Sequence, residues 1–193
     1  MKHFSLSAVL FAVAILCGGC SDTKKHDSET AAKAPAEADA LVATTTYRLN
    51  TLQGDVLTVT KEGPFFTMQN IPEHVVVYDI FATWCPPCRA EAPHLSKLQK
   101  AFAGKIKIVG VSIEENKDDD FYRRFAKDIG IDYTLVNAFD NIPLARAIAG
   151  SLGLGRDFPI PLMVIYKDGK YVKHYAGLVP EEMLESDLKQ LVK

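Results

Sequence analysis

The sequence predicts an α/β domain, a central mixed β-sheet with helices on both faces and a β-hairpin extension on its N-terminal side. Three observations carry this. Val75 to Phe81 is a near-continuous apolar run of the kind found in strands buried on both faces. From that run onward, apolar and amphipathic stretches follow in the order β-α-β-α-β-α-β-β-α. Lys167-Asp168-Gly169, between the last two strands, is a hairpin signal, and a terminal hairpin on an alternating pattern makes the sheet mixed.

The chain does not begin with fold. Lys2 and His3 form a basic start, Phe4 to Leu16 is apolar, and Gly18-Gly19 precede Cys20. The apolar run is too short for a comfortable membrane span and suits a signal peptide. Gly18-Gly19-Cys20 resembles a bacterial lipobox, with Cys17 where that pattern has leucine. Residues 1–19 are therefore expected to be a lipoprotein-type signal peptide. Residues 20–46 are expected to be a lipidated N-terminus, carrying its lipid on Cys20, and a flexible linker. The linker is rich in Ser, Asp, Thr, Lys, Glu and Ala and too poor in large apolar residues to offset chain entropy. Residues 47–193 remain as one domain of ordinary single-core size.

Within that domain, Tyr47 to Asn50 and Val56 to Thr60 flank Gln53-Gly54-Asp55 and read as a hairpin, with Phe65 to Met68 as a short added strand. After the Val75–Phe81 strand, Cys85 to Ala103 is an amphipathic helix with Leu95, Leu98 and Phe102 at helical spacing and a kink expected at Pro93. Ile106 to Val111 is a second buried strand. Asp118 to Ile129 is a helix with acids in its first turn and Gly130 after it. Tyr133 to Val136 is a short strand. Pro143 to Ala149 is a helix capped from Asp140 or Asn141 and stopped by Gly150. Leu162 to Tyr166 and Tyr171 to His174 form the terminal hairpin, and Glu181 to Val192 is the last helix. There is no internal repeat, and with a net charge of −2 nothing points to nucleic acid. The acidic cluster of Glu114, Glu115 and Asp118 to Asp120 reads as a solvated loop and helix start.

Of four cysteines, Cys17 leaves with the signal and Cys20 would carry lipid, so only Cys85 and Cys88 belong to the folded part. An exported domain with one close pair has no structural disulfide framework, which makes the pair a redox site. The two sit where a buried strand turns into a helix, in Trp84-Cys85-Pro86-Pro87-Cys88. Helix N–H groups and the dipole favour a thiolate there, and the thiolate is the nucleophile in disulfide exchange. Cys85, nearer the helix start and expected to be the more exposed, is the attacking thiol; Cys88, one turn on, resolves. A zinc site would need two further ligands, and no second cysteine pair exists, so no metal and no cofactor are expected.

The stretch Phe81-Ala82-Thr83-Trp84-Cys85-Pro86-Pro87-Cys88, followed by Arg89, Glu91 and Pro93, resembles the thioredoxin-like thiol-disulfide oxidoreductases of the TlpA/ResA/CcmG type. Those are membrane-tethered bacterial proteins that work outside the cytoplasm. The resemblance runs from about Tyr47 to the C-terminus and implies a thioredoxin-like fold. It implies that Asp79, a costly acid within the buried strand, accepts the Cys88 proton; the plainer reading is an acid at a strand end that sees solvent. It implies that Glu91 tunes the cysteines, where residue chemistry alone reads an exposed helix glutamate. It makes Pro161, after Ile160, a cis-proline facing the cysteines and leaving neighbouring backbone free for an incoming peptide, with Pro159 as the rival. Trp84 reads either as part of the docking surface with Pro86, Pro87 and Ile160 or as core packing.

The expected function is that of an extracytoplasmic thiol-disulfide oxidoreductase, anchored as a lipoprotein on the periplasmic side of the cell envelope. Pro86-Pro87 supplies neither charge nor histidine to stabilise the Cys85 thiolate, which points to a reductant. Its partners would be exported protein disulfides, apocytochrome c among them, with a membrane thiol donor upstream. The rivals are a disulfide-forming or isomerising enzyme of the same fold and a copper or zinc carrier using the cysteine pair. A peroxidase does not fit, because Thr83 stands too close to Cys85.

Overall fold

The computed structural model describes residues 43–193. The signal segment, Cys17, Cys20 and nearly all of the linker lie outside the described residues. The elements are β1 (Thr44–Asn50), β2 (Val56–Glu62), β3 (Phe65–Met68), β4 (Val75–Phe81), α1 (Pro86–Ala101), β5 (Ile106–Ser112), α2 (Asp119–Ile129), β6 (Thr134–Val136), α3 (Asn141–Ser151), β7 (Leu162–Lys167), β8 (Lys170–Ala176) and α4 (Glu181–Leu191). β1 starts three residues before the expected domain boundary.

Five strands form a mixed sheet in the order β6-β5-β4-β7-β8. β4 lies in the middle, parallel to β5 and antiparallel to β7, and every one of its residues is buried. Its alternate side chains feed two cores. On one face Val75, Val77 and Phe81 pack with Leu95 and Leu98 of α1, Phe125 of α2 and Leu184 and Leu188 of α4. On the other, Val76, Tyr78 and Ile80 pack with Leu144 and Ile148 of α3 and with Leu49, Val59 and Phe66 of the N-terminal strands. Each such fully buried aliphatic side chain contributes about 1.5–3 kcal/mol.

The N-terminal extension is a three-stranded antiparallel sheet, β1-β2-β3, a strand larger than a hairpin. It is bound to the main sheet in two places. Thr51 bridges Val136, with Leu52 N–H donating to Leu135 O and Asn137 N–H to Asn50 O, so this segment covers the open edge of β6. Phe66 N–H donates to Gly169 O in the β7–β8 turn. That turn needs positive φ at both central residues, Asp168 (50°) and Gly169 (76°), which is why Asp-Gly stands there.

The helix α3 differs at both ends from the pattern in the sequence, starting at Asn141 rather than Pro143. α3 runs through Gly150 to Ser151, and Asp140 makes no side-chain cap; its carboxylate instead accepts from Arg48 N–H at 2.7 Å, a partner 92 residues away. α2 is capped by Asp118, whose carboxylate accepts from Phe121 N–H, and ends on Gly130 in the left-handed region. α1 carries Pro93 inside its 16 residues.

Candidate active site

The end of β4 delivers the chain to a tight turn, in which Cys85 N–H donates to Ala82 O at 3.1 Å. Cys85 is the N-cap of α1, and Pro86 and Pro87 occupy the first helical positions, where a missing N–H costs no helical hydrogen bond. Cys85 and Cys88 are joined as a disulfide, with Cα atoms 5.3 Å apart. Cys88 N–H donates to Cys85 Sγ at 3.3 Å. Both sulfur residues are buried, at 3% and 5% exposure, so the expectation that Cys85 is the more exposed does not hold in the disulfide form. The rim supplies the exposure: Trp84 is 67% exposed and outside the core, and Pro86 and Pro87 flank it in solvent.

Facing the pair across the rim, the Ile160–Pro161 peptide bond is cis, and Ile160 O lies 3.9 Å from Cys85 Sγ. Pro161 leads into β7, and its carbonyl accepts from Gly177 N–H. Pro159, the rival, is exposed.

Behind the disulfide stand two buried acids. Asp79 points from β4 into the α1 side of the sheet and is 4% exposed; Tyr133 OH donates to its Oδ2 at 2.8 Å. Burial pushes the Asp79 carboxyl up to about 6, with the Tyr133 hydrogen bond pulling the other way. Glu91, one turn beyond Cys88, is 2% exposed, and neither of its carboxylate oxygens has a well-formed hydrogen bond. Burial, and then the charge of Asp79, push it up to about 8, with the Val179 backbone pulling weakly the other way. At neutral pH Asp79 is mostly ionised and Glu91 mostly protonated, so neighbouring carboxyls hold different protonation states because their surroundings differ. Asp79 is not a solvated strand end, and Glu91 is not an exposed helix residue.

One residue read from sequence as part of a solvated acidic loop belongs to this site. Glu114, just past β5, accepts from Thr83 N–H at 2.6 Å and from Thr83 Oγ1 at 3.1 Å. Arg89 donates to the Thr83 carbonyl at 3.2 Å and lies over the Phe125 ring, which stacks on Phe81. The segment before Trp84 is thus held on both sides. Glu114 is 31 residues from Thr83, and no local spacing betrays the contact. Tyr133 was likewise hidden, although a lone glycine inside a buried strand, Gly110, marks a close approach there. Among the described residues, no group of three or more His, Cys, Asp or Glu could hold a metal ion.

These parts make a thioredoxin-like thiol-disulfide oxidoreductase, with Cys85 and Cys88 as its redox pair and no resident cofactor needed for the exchange. Within that class the chain belongs to the Redoxin family, whose profile matches residues 33–192. It is 27% identical over 132 residues to thiol-disulfide oxidoreductase ResA of Bacillus thuringiensis, covering 67% of this chain and 70% of that protein. It is 28% identical over 113 residues to thioredoxin of Bacillus subtilis, covering 58% and 78%. A thioredoxin-family thiol:disulfide interchange protein from Chlorobium tepidum superposes with a TM-score of 0.60 at 23% identity, covering 81% of this chain and 100% of that one. StoA from Bacillus subtilis superposes at 0.52 and 17% identity, covering 74% and 95%. At those identities the likeness is one of fold. The likeness to ResA agrees with the resemblance to the TlpA/ResA/CcmG type read from the sequence.

Proposed function

We propose that this protein is an extracytoplasmic reductant, tethered to a membrane by a lipid on Cys20, that reduces disulfides in exported proteins such as apocytochrome c. The observation that carries the reducing direction is the poor donor set around Cys85. Its sulfur sits at a helix N-terminus, yet Pro86 and Pro87 have no N–H, and the hydrogen bond it receives comes from Cys88. No histidine or charge stands between the cysteines. A strong oxidant gains its power from a stabilised thiolate, and this pair lacks the means. The tether and compartment are supported by the Phe4–Leu16 apolar run, by Gly18-Gly19-Cys20 and by the likeness to ResA.

In the proposed cycle the Cys85 thiolate attacks one sulfur of a substrate disulfide docked against Trp84, Pro86, Pro87 and Ile160. The S–S bond breaks, and the other substrate sulfur leaves as a thiolate. Cys88 then gives its proton to Asp79 and attacks Cys85 Sγ, which releases the second substrate thiolate and closes the Cys85–Cys88 disulfide. Glu91, protonated at neutral pH, keeps a second negative charge away from the Cys88 thiolate as it forms. A membrane thiol donor restores the dithiol.

Equilibration of the protein with glutathione and dithiothreitol buffers tests the direction. The potential should lie nearer thioredoxin's, about −270 mV, than a strong oxidant's, about −120 mV. A value above roughly −170 mV overturns the reductant reading in favour of a disulfide-forming enzyme.

A further inference from the structure

We propose that Tyr133 is a positioning residue for Asp79: its hydroxyl reaches across β5 through a gap left by Gly110, holds Oδ2, and turns the carboxylate's other oxygen toward the Cys88 proton. The inference rests on Asp79 being the proton acceptor and deepens that reading.

Register and packing argue for it. Asp79 on β4 pairs with Gly110 on β5, and Gly110 pairs with Leu135 on β6. Tyr133, two residues before Leu135, shares its side of the sheet, the side that α1 covers. To touch Asp79 its ring must cross over the intervening strand. Only glycine leaves room: a Cβ at position 110 would stand 3.0 Å from Tyr133 Cε2 and 2.5 Å from Leu135 Cδ2. A lone glycine in the middle of a buried strand weakens that strand. Here the vacancy is filled by a tyrosine whose phenol finds one partner, the buried acid.

The groups facing Asp79 are few. Glu91 of α1 acts on it electrostatically, Tyr133 from the segment before β6 donates to it, and Gly110 of β5 and apolar Met163 of β7 pair with it in register; Cys88 of α1 lies in the core cluster on the same side of the sheet. Burial and the charges of Asp79 and Glu91 hold the Tyr133 phenol well above its usual range, so it remains a donor throughout neutral and mildly alkaline pH. A donor that cannot ionise favours the charged form of Asp79 and gives it one orientation. Without it the acid would bind its proton more tightly, and less of it would be a base at neutral pH.

The test uses the full-length protein in detergent, carrying a mixed disulfide between Cys85 and 2-nitro-5-thiobenzoate. Release of the coloured thiolate reports Cys88 attack on Cys85 Sγ, and its rate is measured against pH. Tyr133→Phe keeps the ring and removes the hydroxyl. It should move the midpoint of the release profile upward by about half to one pH unit and slow release at neutral pH about three- to tenfold. In an Asp79→Asn background the same substitution should leave the profile unmoved. Gly110→Ala, which crowds the ring, should shift the midpoint in the same direction. If Asp79→Asn abolishes the midpoint but Tyr133→Phe leaves midpoint and neutral rate at wild-type values, the positioning role is overturned and the base stands. If Tyr133→Phe slows release equally at every pH and in both backgrounds, Tyr133 is merely structural and the proposal fails. If Asp79→Asn leaves the midpoint in place, the base reading falls and this inference with it.

Discussion

Glu91→Gln should flatten the dependence of stability on pH. The carboxyl is buried without a well-formed hydrogen bond, and its pKa stands at about 8 against an ordinary 4.5. The folded chain therefore holds this proton more tightly than the unfolded chain does. Such a group adds stability below about pH 4.5, and that stability is lost as the pH rises through about 8. At about 1.4 kcal/mol per pH unit, the displacement corresponds to about 5 kcal/mol at most. Water reaching the site and repulsion shared with Asp79 reduce this to about 2–3 kcal/mol. Glutamine resembles the protonated acid in shape and polarity, so at pH 5 the variant should match the wild type within about 1 kcal/mol. At pH 9 it should be the more stable by about 2–3 kcal/mol. Urea unfolding of both oxidised proteins across this range measures the difference. The slope left by Asp79, between 3.8 and about 6, is common to both proteins. A stability difference that is the same at pH 5 and pH 9 would refute the claim that Glu91 is a strained, buried acid.

Further expectations concern the cysteines and their surroundings. Pro87→Ala restores an N–H at the second helical position; it should lower the Cys85 thiol pKa by about half to one unit and make the pair more oxidising, as read by alkylation rate against pH and by redox equilibration. Cys88→Ala should trap substrates as mixed disulfides on Cys85 in non-reducing gels of envelope extracts, with Cys85→Ala trapping few; the reverse pattern would exchange the roles of the two sulfurs. Cys20→Ala should release the full-length protein from membranes with its redox activity unchanged, and retention in the membrane fraction would favour an uncleaved anchor in residues 4–16. Glu114→Ala removes both acceptors from Thr83 and should slow attack on a test disulfide about tenfold, with a smaller effect on melting; Glu114→Gln, which keeps one acceptor, should fall between.

The element order, the central strand and the redox pair were legible along the chain because each depends on neighbours in sequence. Val75 to Phe81 announces a doubly buried strand by its own apolarity, Asp168-Gly169 a hairpin by its turn chemistry, and Cys85-Pro86-Pro87-Cys88 its chemistry by one helical turn of spacing. Asp79 stood out because an acid inside such a strand is costly wherever the strand lies. The contacts that condition the site could not be read in this way. Glu114 reaches Thr83 across 31 residues, Tyr133 reaches Asp79 across 54, and Ile160 comes to Cys85 across 75. These are ordinary loop and strand residues until the parallel pairing of β4 with β5 and β5 with β6, and the antiparallel pairing of β4 with β7, bring them to one site. The same pairing removes Glu91 from water. Its place on α1 is a matter of helical periodicity, but its protonation is decided by what the sheet packs against that face. Local spacing names the residues that can react, and burial and long-range pairing set the charge each one carries.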